Sequence, residues 1–216
     1  GYEVTIFEKQ AKPGGLMRTN IPSFRLPEEV LADECQQIIG MGVDVRYSSP
    51  VSSIKGLLAE GYDAVFVGTG APRGKELDLP GRKEGAANIH IGIEWLESVA
   101  FGHVTSIEKR VLIIGVGNTA MDCCRTSKRL GAESVKVMAR RPRKFFKASP
   151  WELEDAEEEQ VEIIINHAPK RFVIEKGKLV GMEFEQLAWT EDQKGKATST
   201  VSDTVIIPCD TVILAI

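Results

Sequence analysis

The sequence predicts an α/β protein built from two strand–turn–helix units, and three observations carry that expectation. A continuous apolar run, "VLII" (111–114), enters a glycine turn and then a helical pattern, as a parallel strand buried on both faces does. A second strand pattern, residues 2–8, ends on an acid, Glu8, and a Gly14-Gly15 pair follows. Strand and helix patterns alternate along the chain, the order that lays helices on a mostly parallel sheet.

Taken in order, residues 2–8 read as a strand and 9–26 as a loop rich in Gly, Pro and Asn. A helix follows. Pro27 suits its first position, Glu28 and Glu29 its first turn, and Gly40 or Gly42 its end. "VDVRY" (43–47) is a short strand. "YDAVFVGTGA" (62–71) is a buried strand running into the turn Gly68-Thr69-Gly70. Residues 72–90 are loop-like, with Pro72, Gly74, Pro80, Gly81 and Gly85, and "IGIEWLESVA" (91–100) is a helix.

A second unit starts near residue 108 and reads strand, glycine turn, helix, Gly131 stop, strand. "SPWELEDAEEEQ" then reads as a capped helix, with Ser149 as N-cap, Pro150 first and Glu152 completing a capping box. "VEIIIN" (161–166) is a strand. Residues 170–189 alternate about a Lys-Gly turn and read as a hairpin. "TEDQKGKATST" (190–200) is a polar loop, and "DTVILAI" (210–216) a final apolar strand.

Composition narrows the function classes. The chain has 216 residues, 43% hydrophobic and 27% charged, enough for one large or two small globular domains with an ample core. A net charge of −4 argues against general binding to nucleic acid or to a membrane surface. No stretch approaches the ~20 apolar residues of a membrane span. The four cysteines, Cys35, Cys123, Cys124 and Cys209, form no C-x-x-C. Adjacent Cys123 and Cys124 fall on a predicted helix, where neighbours point apart. This pattern fits reduced thiols in the cytoplasm and argues against an iron–sulfur, zinc or dithiol redox centre in the chain. His90, His103 and His167 are scattered and read as surface or structural residues; no metal site is expected.

The sharpest motif is Gly115-Val116-Gly117-Asn118-Thr119-Ala120, a G-x-G-x-x-[G/A] turn. Its context matches a dinucleotide site: a buried strand before, a helix after, and a second strand about twenty residues on. Gly115 permits the tight turn, Gly117 lets backbone approach a pyrophosphate, and Ala120 keeps helix and strand close. Free N–H groups at the helix start then face the phosphates. Where an NAD site usually ends its second strand on Asp or Glu, this strand runs into Arg140 and Arg141. A guanidinium there can fork onto a 2′-phosphate, so the nucleotide expected is NADP(H). Arg143, Lys144 and Lys147 add positive charge. A bland alternative, a basic loop paired with the acidic helix 152–159, fits Arg143 and Lys144 better than Arg140.

"GVGNTAMDCCRTSKRLGAESVKVMARR", with "PGGLMRTNIPSFRLP" and "YDAVFVGTGA" upstream, resembles the small (beta) subunit of NADPH-dependent glutamate synthase and its relatives. These are FAD/NAD(P)-binding pyridine nucleotide oxidoreductases, and the group includes the flavin-containing part of dihydropyrimidine dehydrogenase. The likeness runs essentially end to end. It implies two interleaved Rossmann-like dinucleotide-binding domains: an incomplete FAD domain over 1–105 and a nearly complete NADPH domain over 106–216. By this resemblance the chain is an internal piece of a larger flavoprotein, with the glycine turn for the FAD pyrophosphate upstream of residue 1.

Carried over residue by residue, the resemblance implies that Glu8, Gly14, Gly15, Leu16, Arg18, Thr69 and Gly70 line FAD. The usual Ala-Thr-Gly turn is Gly68-Thr69-Gly70 here. Gly117, Asn118, Thr119, Arg140, Arg141 and Lys147 would bind NADPH, with Ala215 and Ile216 near the nicotinamide ribose. Without the resemblance, Glu8 reads equally as a solvated strand end, Gly14-Gly15 as a plain turn, and Arg18 and Arg25 as surface charges. The family reaction is hydride transfer from NADPH to FAD, then onward to an iron–sulfur or large catalytic subunit. It needs no catalytic side chain, and the excised piece alone is expected to be inactive. A sheet lacking its first strand would expose an edge, which makes a homo-oligomer conceivable. Two other classes stand beside this reading. One is an NADP(H)-binding module or docking subunit without chemistry of its own. The other is a dehydrogenase acting directly on a small substrate, for which the sequence offers no substrate domain.

Overall fold

The computed structural model describes residues 1–191 and 197–216. They form two compact units, Gly1–Pro72 and Arg73–Ile216. In the first, β1 (Thr5–Phe7) and β2 (Asp44–Arg46) pair in parallel, with Ile6 opposite Val45. Between them come α1 (Gly15–Thr19) and α2 (Glu28–Ile39). Pro27 is the N-cap of α2 rather than its first residue, and Glu28 and Glu29 fill the first turn, where carboxylates meet the positive end of the helix dipole. Residues 15–19, expected as loop, close a short helix after Gly14, whose φ of 120° is readily adopted by glycine alone. α3 (Ile54–Ala59) has no counterpart among the sequence expectations. Its start is marked by Ser53, whose hydroxyl accepts the Gly56 N–H at 3.1 Å, a serine N-cap.

The strand expected over 62–71 does not form. A buried parallel strand is held by ladder bonds to neighbours and by burial on both faces. Among the described residues β1 and β2 pair only with each other. Phe66 is 95% exposed and Val67 59%, so burial worth about 2 kcal/mol for such a phenylalanine is not realised.

The second unit carries β3 (Ile89–Ile91), α4 (Gly92–Ala100), β4 (Arg110–Ile114), α5 (Asn118–Arg129), β5 (Ser134–Met138), α6 (Pro150–Glu158) and β6 (Glu162–Ile164). Then follow β7 (His167–Glu175), β8 (Lys178–Glu191), β9 (Ala197–Pro208) and β10 (Thr211–Leu214). Five strands form a parallel sheet in the order β3-β10-β4-β5-β6, and β7-β8-β9 form an antiparallel sheet. The period of two along β4 sorts its residues into two cores. Val111 and Ile113 join Trp95 and Leu96 of α4, Met121 and Cys124 of α5, and Leu153 and Ala156 of α6. Leu112 and Ile114 join Phe172 of β7 and Met182 and Phe184 of β8. The result is three layers: helices, parallel sheet, antiparallel sheet. "VLII" is apolar throughout because both faces of its strand are covered.

The hairpin about Lys176 and Gly177 forms with both residues at positive φ, the backbone of a tight I′-type turn. Of the polar loop expected over 190–200, Thr190 and Glu191 belong to β8 and residues 197–200 to β9; residues 192–196 lie outside the described residues. α6 begins at Pro150 with Ser149 at its N-cap, but the capping box is not made. The Ser149 side chain makes no capping bond. Its N–H donates to Asn118 Oδ1 at 2.9 Å, and Glu152, 4% exposed at its side chain, faces Arg125. A buried arginine competes for that carboxylate more strongly than a backbone amide does.

The boundary between the two compact units falls at Pro72/Arg73. Residues 73–105 belong to the second unit because β3 pairs with β10, Leu77 and Leu79 pack on the second core, and the Phe172 N–H donates to the Pro80 carbonyl at 2.9 Å. No helix among the described residues is long and apolar enough to cross a membrane.

Candidate functional site

The glycine turn leaves the carboxyl end of β4 beside the end of β10. From β4 the chain passes through α5 to β5 on one side, while β10 occupies the other. Such a reversal opens a crevice at the strand ends. Gly115 has φ 132°, and a Cβ built on it would lie 2.1 Å from the Ala215 carbonyl oxygen. The Ala215 N–H in turn donates to the Ile114 carbonyl at 2.8 Å. Gly115 is therefore set by the close approach of two backbones. Gly117 differs: it is the N-cap of α5, and a Cβ there would meet nothing within 4 Å. The space over the turn is open. The first amides of a helix have no partner within it, and no side chain caps α5. Thr119 is half-buried on this first turn, and Ala120 is fully buried against β4. Lys128 and Arg129 sit in the last turn, so charge and dipole agree along the helix.

The chain leaving β5 folds back over this turn. Lys147 and Ala148 donate their N–H groups to the Val116 carbonyl at 3.2 and 3.0 Å. The Asn118 amide bonds both the N–H and, at 3.4 Å, the hydroxyl of Ser149. Asn118 thus turns its side chain to the loop, while its backbone remains at the head of α5. The loop brings five cations to one end of the sheet and sorts them. Arg143 pairs with Glu157 at 2.7 Å, and Lys144 pairs with Glu191. The Arg143 guanidinium holds the Glu157 carboxyl below the usual carboxylate range. Arg140, Arg141 and Lys147 are exposed and make no ion pair among the described residues. The Arg141 guanidinium lies 5.6 Å from the centre of the Phe145 ring. A cation so placed is attracted by the negative face of the ring.

In the first unit, the Glu8 carboxylate at the end of β1 accepts the Gln10 N–H at 2.8 Å. Gly14 and Gly15 carry the chain into α1, where Leu16 is 40% exposed. A Cβ on Gly70 would lie 3.6 Å from Leu16 Cδ1. The structure therefore brings Leu16 and Gly70, distant in sequence, side by side. Arg18 is engaged within its own unit: Nε donates to the Pro13 carbonyl at 2.6 Å and Nη1 to Glu28 Oε1 at 3.0 Å, tying α1 to α2.

Cys123, Cys124 and Cys209 are buried, and burial pushes the thiols of Cys124 and Cys209 up to about 12 and that of Cys123 well upward too. Thiols held protonated are poor nucleophiles. Among the described residues no cluster of His, Cys, Asp and Glu has the makings of a metal site. The Arg143–Glu157 pair is the one the acidic helix suggested for this loop; the residues that sequence reasoning missed are Phe145, Trp189 and Glu191, the partner of Lys144. Trp189 Nε1 donates to the Arg140 carbonyl at 3.3 Å across 49 positions. No local pattern marks such a contact.

Known proteins share this architecture. The family model described as pyridine nucleotide-disulphide oxidoreductase matches residues 26–216. The beta subunit of the NADP(+)-dependent formate dehydrogenase of Moorella thermoacetica is 34% identical over 100% of this chain and 31% of its own length. The NAD-dependent dihydropyrimidine dehydrogenase subunit PreT of Salmonella typhimurium (strain LT2) is 39% identical over 78% of the chain and 41% of its own length. The glutamate synthase [NADPH] small chain of Escherichia coli (strain K12) is 31% identical over 100% and 49%. The chain thus spans between about a third and a half of these relatives. Among solved structures, FprA of Mycobacterium tuberculosis has the same fold, with a TM-score of 0.80 at 16% identity over 99% of this chain and 64% of that one.

Proposed function

The chain belongs to the pyridine nucleotide-disulphide oxidoreductase family, and from that premise we propose that it is part of an NADPH-dependent flavin oxidoreductase of the glutamate synthase small-subunit type. In this reading electrons pass from NADPH through FAD to an iron–sulfur partner, in the cytoplasm. The chemistry, hydride donation by NADPH and onward passage through FAD, is the cofactors' own. The chain's residues bind and orient. Gly115, Gly117 and Ala120 shape the turn, the first amides of α5 meet the pyrophosphate, and Ala215 and Ile216 border the nicotinamide end. Arg140, Arg141 and Lys147 meet the 2′-phosphate. Glu8, Gly14, Gly15, Leu16, Arg18, Thr69 and Gly70 line the flavin side.

One observation carries the NADP(H) assignment. Of five cations in the loop after β5, acidic neighbours pair with Arg143 and Lys144, while Arg140, Arg141 and Lys147 make no ion pair among the described residues. Two of the relatives are named for NADP(H) and one for NAD, so the assignment rests on this chain's own residues. The test is a titration with NADPH and with NADH, followed by nicotinamide fluorescence, on the protein and on its Arg140→Ala, Arg141→Ala double variant. Tighter binding of NADPH, lost by at least tenfold in the variant with NADH unchanged, is the expected result: two charge-assisted contacts are worth about that or more. Equal affinities in the unaltered protein would sink it.

A second reading, a nucleotide-binding or docking module without flavin chemistry of its own, is favoured by the engaged Arg18 and the unformed strand at 62–71. Absorbance near the flavin band after reconstitution with FAD separates the two. Retained NADPH binding with no bound flavin supports the module.

A further inference from the structure

Arg140 and Arg141 are long, exposed side chains on a loop, and ordering such groups on a ligand costs conformational entropy. The cost falls when the backbone that carries them is already fixed. The rear of this loop is fixed from the glycine turn, through the Val116 carbonyl to Lys147 and Ala148 and through Asn118 to Ser149. The front, where the two arginines sit, is held differently. Just before them, the Ala139 N–H donates to the Ile164 carbonyl and the Ala139 carbonyl accepts from His167. Beyond that point the support comes from the antiparallel layer. The indole N–H of Trp189, on β8, donates to the Arg140 carbonyl at 3.3 Å. The indole ring lies 6.2 Å from the Phe145 ring at an interplanar angle of 39°. Phe145 closes a short 3-10 turn, Arg143–Phe145, and the Arg141 guanidinium rests over it at 5.6 Å. Both arginines therefore trace to one side chain: Arg140 through its carbonyl, Arg141 through the Phe145 ring. The Lys144–Glu191 ion pair ties the loop to the same end of β8.

We infer that Trp189 is a positioning residue for nucleotide choice: with Phe145 it braces the Arg140–Arg141 pair in the arrangement that accepts a 2′-phosphate. The inference rests on the NADP(H) reading above. It makes the antiparallel sheet, which lies on the face away from the helices, part of the specificity apparatus. Nucleotides lacking the phosphate gain nothing from the brace, so its loss is selective.

The experiment measures NADPH and NADH affinities by nicotinamide fluorescence for the protein, for Trp189→Ala, for Trp189→Phe and for the Arg140→Ala, Arg141→Ala double variant. Trp189→Ala removes both supports and is expected to weaken NADPH about tenfold, the scale of one charge-assisted hydrogen bond, with NADH unchanged. Trp189→Phe keeps a ring on Phe145 and loses only the N–H donor. It is expected to weaken NADPH by about threefold, with NADH again unchanged. If Trp189→Ala does not fold, as judged by its circular dichroism, Trp189→Phe carries the test. Variants that bind both nucleotides like the parent, or that lose both to the same degree, overturn the inference while the arginine result leaves the NADP(H) reading standing. Equal affinities in the unaltered protein overturn both.

Discussion

Gly115 and Gly117 stand two positions apart, and a methyl group added to each meets different surroundings. At Gly115 it would enter the Ala215 carbonyl, on a backbone with φ 132°. Gly115→Ala is expected to cost at least about 2 kcal/mol of folding stability, read as a lower denaturant midpoint. At Gly117 it would meet open space. Gly117→Ala is expected to keep the midpoint within about 0.5 kcal/mol and to lose NADPH binding, because the methyl group fills the approach to the α5 amides. If Gly117→Ala bound NADPH unchanged, the open space over the turn would not be the pyrophosphate site. The cysteines divide in the same way. Cys35 alone is partly exposed, while Cys123, Cys124 and Cys209 are buried. A thiol reagent under native conditions is expected to titrate Cys35 quickly and the other three only on unfolding.

Between elements, α5 and α6 are joined by charge in place of a purely apolar seam. Arg125, with its side chain 10% exposed, reaches Glu152, Asp155 and Glu159, and Arg129 adds a second contact to Glu159. Arg125→Ala removes at one stroke the buried cation that reaches Glu152, Asp155 and Glu159 and is expected to cost about 3–5 kcal/mol, measured by denaturant unfolding. Of these carboxylates Glu159 sets an acid limit. Burial raises the Glu159 pKa, but the bonds from Arg129 and Arg125 outweigh it, and the net shift is downward. The Arg110 guanidinium likewise holds Asp210, between β9 and β10, below the usual range. Groups with a depressed pKa in the fold contribute stability above their unfolded pKa and lose it as pH falls through the folded value. Melting temperature is therefore expected to hold from neutrality down to the ordinary carboxylate range and to drop below it. Asp210→Asn should make that drop shallower; an unchanged slope would show that the Arg110 pair contributes nothing.

Over the whole molecule, order follows the number of covered faces. β4 and β10 have strands on both sides and a layer on each face, whereas residues 62–75 form no ladder and leave Phe66 and Val67 exposed. Hydrogen exchange is expected to be slow through Val111–Ile114 and Thr211–Leu214 and fast through 62–75; protection of 62–75 would mean that the strand written in its apolar run does form. That contrast marks what sequence could and could not settle. The glycine turn, α5, the β5 strand and the arginines that end it were legible because they depend on spacing within about thirty residues, which local chain geometry enforces. The buried character of "VLII" was legible too, since an unbroken apolar run has no solvent face. Which layer covers each face was not, because helices and antiparallel strands bury apolar residues equally well. Nor was the fate of Ser149 and Glu152, whose capping geometry yields to Asn118 and Arg125. The sequence by itself determined a dinucleotide-type turn with a cluster of cations beside it. Only the tertiary structure decided that Lys144 pairs with Glu191 and that Trp189 reaches the Arg140 carbonyl, because ion pairing and packing depend on distance in space, and these partners lie 47 and 49 residues apart along the chain.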